Sequence, residues 1–194
     1  VKLLSEQSVE GFESKGERFT LSTSRKESVE VDCVVAGIGI EPDLELAKEA
    51  GLEIDDGVVV DEMLGAGAAD VYAAGDLARF YNPALEMRIR VEHEDNANSS
   101  GKQAGRNMAG ANEPYHYLPY FYSDLFDLGY EAVGQLDSSL ETVVDWQEPF
   151  KKGVVYYLQD GRVHGVLLWN VWEQVDAARQ LIASKGPFKP SGLE

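Results

Sequence analysis

The sequence predicts a mixed α/β and α+β chain: parallel-sheet segments come first, then an antiparallel sheet closed by a terminal helix. Three observations predict it. Asp32 to Ile38 is a near-continuous apolar run of the kind found in central parallel strands. Asp70-Val-Tyr-Ala-Ala-Gly-Asp76 is a short apolar run that stops abruptly at a glycine and a carboxylate. From Pro114 onward, apolar and polar residues alternate, and Asp160-Gly161 separates the two clearest alternating runs.

A chain of 194 residues is long enough to bury a real core in one or two domains. Its 17 basic and 34 acidic residues give a net charge of -17, which repels phosphate backbones and anionic lipid. No nucleic acid and no membrane are therefore expected as partners, and no apolar run approaches the ~20 residues that span a bilayer. The three histidines are scattered and no Cys/His cluster has metal-ligand spacing, so no metal site is expected. Cys33, the single cysteine, lies among Val31, Val34 and Val35 and reads as a buried strand thiol. With no internal disulfide to form, the chain suits a reducing cytoplasm.

Taken in order, residues 9–13, 19–23 and 28–31 alternate as half-buried antiparallel strands do, with a turn at Lys15-Gly16-Glu17. Gly37-Ile-Gly39 follows the apolar run, and on its residues alone fits a strand-to-helix turn that needs small side chains. Glu41 and Pro42 open a helix that Gly51 ends. Asp55-Asp56-Gly57 is a turn before a short strand, Val58 to Val60, and Gly65 to Ala69 is a flexible connection. Val71 to Ala74 reads as a buried strand. Gly75 would let a backbone approach closely, and Asp76 would lie at the strand's carboxyl end, where open α/β sheets place ligands. The same heptad also fits a buried strand with an ordinary capping Asp.

Leu77 to Glu86 reads as a surface loop turning at Asn82-Pro83, and Arg88 to Val91 as a short strand. Ala97 to Met108 is helical, with Asp95, Asn96 or Asn98 as the cap, and Gly101 and Gly105 share a face open to close packing. Glu92 and His93, read on their own, are a capping carboxylate and a partly exposed imidazole. The tyrosines between Tyr115 and Tyr122 are core and interface aromatics. Glu173 to Ser184 is the last helix, ended by Gly186-Pro187, with a frayed tail beyond.

Three blocks, in order and at plausible spacing, carry a resemblance. Asp70 to Asp76 resembles the second flavin-binding motif of FAD-dependent pyridine nucleotide oxidoreductases. Val34 to Asp43 resembles the end of their nicotinamide-binding domain. Arg90-Val-Glu-His-Glu-Asp95 and Phe121-Tyr-Ser-Asp124 resemble the ferredoxin-reductase and apoptosis-inducing-factor branch. The resemblance implies the carboxyl-terminal portion of a two-dinucleotide-domain flavoprotein. Residues 1–64 would be the last part of the NAD(P)H-binding domain and 65–113 the closing segment of the FAD-binding domain. Residues 114–194 would form a terminal dimerisation or interface domain.

It also implies site residues. Gly75 and Asp76 would contact FAD, Glu92 would accept from the nicotinamide carboxamide, and His93 and Tyr122 would lie beside the ring. Gly37, Gly39 and Glu41 would face NAD(P)H. No side-chain acid, base or nucleophile is expected to act, since the flavin carries the chemistry. The implied activity is hydride transfer from NAD(P)H to FAD, then electron delivery to a ferredoxin-like protein or a small-molecule acceptor, with a homodimer as a possible assembly. No Gly-x-Gly-x-x-Gly follows a strand in this chain, so the segment alone is expected to be inactive and to lack FAD. Two alternatives stand beside this: a non-catalytic interaction or dimerisation module, and an unrelated α/β domain with chance matches.

Overall fold

The computed structural model describes residues 2–189 and 192–193, and the chain forms two compact units, Val1–Glu41 and Pro42–Glu194. The smaller unit is an antiparallel meander of β1 (Val9–Lys15), β2 (Arg18–Thr23) and β3 (Ser28–Val31). Gly16, at φ +67°, makes the tight first turn, and Phe12 stacks on Phe19 with ring centroids 5.2 Å apart. The three expected strands are present. The expected central strand, Asp32 to Ile38, is not: Val35 and Ile38 are both 93% exposed, and Cys33 is exposed rather than buried. An apolar run becomes a central strand only when neighbours satisfy its backbone on both sides, and no described strand pairs with it.

The larger unit opens with α1 (Glu45–Glu49), whose Glu45 amide donates to Asp43 Oδ1 at 3.1 Å and which ends at Gly51, φ +70°. A small sheet follows, in the order β4 (Val58–Val59), β5 (Ala78–Asn82) and β6 (Met87–Ile89). Here two expectations are corrected. Val71 to Ala74 is irregular, tied by one isolated bridge between Tyr72 and Gly65, whereas β5 lies in the stretch expected to be a surface loop. Phe80 and Asn82 are the reason: both are fully buried, one against Tyr115 and the other by hydrogen bonds. The Asn82 amide donates to the Tyr117 carbonyl (3.0 Å), and its Oδ1 accepts from the amides of Ala84 (3.0 Å) and Leu85 (3.3 Å). One side chain thus closes the turn and ties it to the segment entering the terminal sheet.

The long helix α2 (Glu94–Met108) packs Ala104 into the core of Val58, Leu64, Ala78 and Phe80. Gly101 and Gly105 are exposed, and an added Cβ at either would meet nothing within 4 Å beyond the helix's own backbone, so the close packing expected there is not observed. The terminal sheet comprises β7 (Tyr120–Leu125), β8 (Leu128–Gly134), β9 (Glu141–Glu148), β10 (Lys152–Gln159) and β11 (Arg162–Trp169). All pairs are antiparallel, in the order β7-β8-β11-β10-β9. Asp160 (φ +53°) and Gly161 (φ +73°) make the expected two-residue hairpin turn. Sequence reading passes over β9, an edge strand in which only Val143 is buried.

Helix α3 (Val175–Ala183) covers one face of this sheet through Ala178 and Ile182. The tail expected to fray instead docks as far as it is described. The Phe188 amide donates to the Gly161 carbonyl at 2.6 Å, and Phe188 and Leu193 join the core; Pro190, Ser191 and Glu194 lie outside the described residues. Glu86, at the β5–β6 turn, takes Arg162 Nη1 at 2.6 Å and also Lys185. No helix among the described residues is long and apolar enough to cross a membrane.

Asn82→Ala leaves one carbonyl and two amides without their partner in a dry site. It should lower unfolding free energy by about 2–3 kcal/mol, measured by urea denaturation.

Candidate functional site

The site grows from the first turns of α2, where three side chains accept or donate to backbone groups brought from elsewhere. Gly75–Leu77 is a single 3-10 turn whose Gly75 takes φ +69°. The Gly75 amide donates to Ser100 Oγ at 2.8 Å, and its carbonyl accepts from Asn96 Nδ2 at 3.3 Å. The same Asn96 amide donates to the Val91 carbonyl at 2.8 Å. Asn96 and Ser100 are fully buried, so these bonds form out of water. Together they dock the Gly75-Asp76 turn and the end of the β6 segment onto one helix.

Arg90 is the electrostatic centre. Its side chain is only 11% exposed, and Nη1 reaches both Glu92 Oε1 (2.5 Å) and the Asp76 carbonyl (3.1 Å), while Nη2 reaches Asp56 at 3.3 Å. Burial opposes its charge, but the carboxylates of Glu92 and Asp56 outweigh it and hold the guanidinium protonated more firmly than usual. Its Nε is buried without a partner among the described residues.

His93, not the expected Asp95, Asn96 or Asn98, is the N-cap of α2. A ring nitrogen serves here as the side-chain oxygens of Asp or Asn would, and Asp95 and Asn96 are engaged with other elements. The Asp95 amide points at Nδ1 and the Tyr122 amide at Nε2, each at 3.4 Å. A neutral imidazole has one acceptor nitrogen, so the ring satisfies one of these donors at a time. Tyr122 meets the imidazole edge to face at 5.0 Å, and its hydroxyl donates to Glu94 at 3.0 Å. That bond to a carboxylate raises the phenol's pKa.

A cleft of about 390 Å³ lies here, walled by Ile89, Leu118, Pro119 and Phe121 and rimmed by Arg90, Glu92 and His93. An apolar wall facing a polar rim at a helix N-terminus accommodates a flat, partly polar ring better than a compact ion. Of the expected site residues, Glu92 and His93 line the cleft. Tyr122 adjoins it through His93, and Gly75 and Asp76 reach it through Arg90 and Asn96. Asp76 follows an irregular segment, not a strand. Gly37, Gly39 (φ +90°) and Glu41 lie in the unpaired end of the smaller unit, whereas the cleft is built wholly from the larger one. Sequence reasoning missed Arg90, Asn96 as a clamp, and Ser100. The only local hint is Asn96 and Ser100 at i and i+4, one helix turn apart.

The family described as pyridine nucleotide-disulphide oxidoreductase matches residues 1–101. A second, described as apoptosis-inducing factor, mitochondrion-associated, C-terminal, matches residues 104–149 and 144–184. The chain is 39% identical over 187 residues to mitochondrial apoptosis-inducing factor 1 of Dictyostelium discoideum, covering 89% of this chain and 35% of that protein. It is 34% identical over 166 residues to the ferredoxin–NAD(+) reductase component of the anthranilate 1,2-dioxygenase system of Burkholderia cepacia, covering 85% and 41%. The covalent putidaredoxin reductase–putidaredoxin complex superposes with a TM-score of 0.84 at 28% identity, over 96% of this chain and 46% of that one. The chain therefore spans between about a third and a half of the length of these proteins. The fold is that of the carboxyl-terminal part of such oxidoreductases, with its antiparallel sheet and terminal helix.

Ser100→Ala removes the acceptor of the buried Gly75 amide. It should cost about 1–3 kcal/mol of stability and speed hydrogen exchange at Gly75 more than at amides of the terminal sheet.

Proposed function

Because the chain belongs to the pyridine nucleotide-disulphide oxidoreductase family, we propose that it supplies the flavin-facing edge and terminal domain of an FAD-dependent NAD(P)H oxidoreductase. The observation that carries this is the cleft itself, with Glu92 and His93 on its rim at the amino end of a 15-residue helix. The site fits such a group. The helix N-terminus favours negative character near it, and the buried Arg90 keeps the rim polar. Bound FAD would supply the redox chemistry, taking a hydride from NAD(P)H and passing electrons to an acceptor.

The protein's part is binding and orientation. Gly75 and Asp76 would hold the ribityl-phosphate side. His93 and Tyr122 would flank the ring, and Phe121 and Pro119 would keep water from one side of it. Arg90 engages Oε1 of Glu92, so the second oxygen is the one that would accept from a nicotinamide carboxamide. For Gly37, Gly39 and Glu41, the family resemblance supports an NAD(P)H-facing role, within the three-part division at residues 64 and 113. The acceptor in this reading is a small one-electron carrier protein such as a ferredoxin, or a small molecule. The similarity to two reductases named for such systems supports it. A cytoplasmic setting belongs to the same proposal, on the strength of the single free Cys33.

In an FAD-loaded oxidoreductase that contains this chain, Glu92→Ala should raise the KM for NAD(P)H about 10- to 100-fold, the size of one hydrogen bond to a charged group. Glu92→Gln, which keeps an acceptor, should lose less. Unchanged KM and unchanged anaerobic bleaching of the flavin band in Glu92→Ala would remove Glu92 from the site.

A further inference from the structure

We propose that Arg179 is a positioning residue for the cleft: from α3 it sets the slot in which the His93 imidazole is held. Its functional consequence rests on the cofactor reading above; its geometry does not. The slot has two walls, the Asp95 amide in the first turn of α2 and the Tyr122 amide in β7. The ring cannot hold them together itself, because a neutral imidazole accepts from only one. Other contacts set their separation: the Tyr122 hydroxyl donates to Glu94 at 3.0 Å, and the Asp95 carboxylate ties the start of α2 to the β7 segment and is itself held by Arg179.

Arg179 touches both sides. Its Nε donates to the Leu118 carbonyl at 2.8 Å, in the segment that runs into β7. The guanidinium lies over the Tyr117 ring at 4.3 Å and near the Tyr120 ring at 5.5 Å, and Nη2 donates to the Tyr117 hydroxyl. On the α2 side, Nη2 stands 3.7 Å from Asp95 Oδ2. That carboxylate also accepts from the Tyr117 hydroxyl at 3.0 Å and the Tyr120 amide at 3.1 Å. The Arg179 and Asp95 side chains are 20% and 18% exposed, so this contact is only weakly screened by solvent. Nη1 turns away to the exposed Asp176 at 3.0 Å. Three directions are served at once by one rigid fork. A lysine has the charge without the fork and can serve one of them at a time.

The network therefore joins the first turn of α2 to the chain two residues before Tyr122, with His93 between them. Loss of the fork should loosen the Asp95 side of the slot, so that the imidazole is held less firmly between the two amides. The cleft rim at Glu92 and His93 would then lose its fixed orientation while the core packing of α3 through Ala178 and Ile182 stays in place.

The test is nitrogen-15 spectroscopy of the histidine rings in the chain, with the His93 signals assigned by their loss in His93→Gln. Wild type should show Nδ1 and Nε2 shifts displaced from those of a free imidazole by the two facing amides. Arg179→Lys should bring them toward the averaged values of a free imidazole, and Tyr117→Phe should do so to a smaller extent, giving a second route if the first variant folds poorly. Asp176→Asn should leave them in place. Unchanged His93 shifts in folded Arg179→Lys or Tyr117→Phe overturn the proposal. In FAD-loaded protein, Arg179→Lys should raise the KM for NAD(P)H about three- to tenfold with a smaller change in kcat. Moved ring shifts with an unchanged KM would uphold Arg179 as the positioner of His93 and count against the nicotinamide reading of the cleft, since the spectroscopic arm contains no cofactor.

Discussion

The clamp that Asn96 and Ser100 place on Gly75 is the interaction on which the cleft depends. A 3-10 turn at positive φ has backbone groups that no sheet satisfies. Here two side chains of α2 satisfy them. The buried Asn96 amide takes the Gly75 and Val91 carbonyls, and Ser100 takes the Gly75 amide. Remove that exchange and Asp76, Arg90 and Glu92 lose their common frame, because all three reach the cleft through segments tied there.

Charge is used unevenly. The chain is strongly acidic, yet the three cations that organise the larger unit, Arg90, Arg162 and Arg179, are all mostly buried at 11%, 16% and 20% side-chain exposure. Each reaches segments distant in sequence, and each combines carboxylate contact with a backbone carbonyl. Arginine suits this because its planar fork divides donors among several acceptors without giving up its charge. Surplus carboxylates elsewhere are solvated and add little to the fold.

The terminal sheet contributes more than a surface. Its first strand carries the Tyr122 amide to His93, Phe121 walls the cleft, and its covering helix sends Arg179 back to α2. Glu86 ties the other side of the cleft to β11 and the α3 terminus. Cleft and terminal-sheet residues therefore form one packed body, and changes on α3 can reach the cleft without touching it.

Much could be read from residue order alone. Alternation and Asp-Gly chemistry are local, so the amino-terminal meander, the β10–β11 hairpin and the terminal helix were legible, and the sequence also singled out Glu92 and His93, which line the cleft. What local chemistry could not settle is which apolar runs find partners. Asp32 to Ile38 looks like a strand but pairs with no described strand, and Val71 to Ala74 pairs only briefly with residues 64–66, whereas Ala78 to Asn82 looks like loop and becomes a strand because Phe80 and Asn82 have a core to enter. The helix cap passed to His93 for the same reason: Asp95 and Asn96 were the better caps by type, but Tyr117, Tyr120, Arg179 and Gly75 had already engaged them. Strand pairing and hydrogen-bond competition are decided between residues far apart in the chain, and only the tertiary structure brings the competitors together.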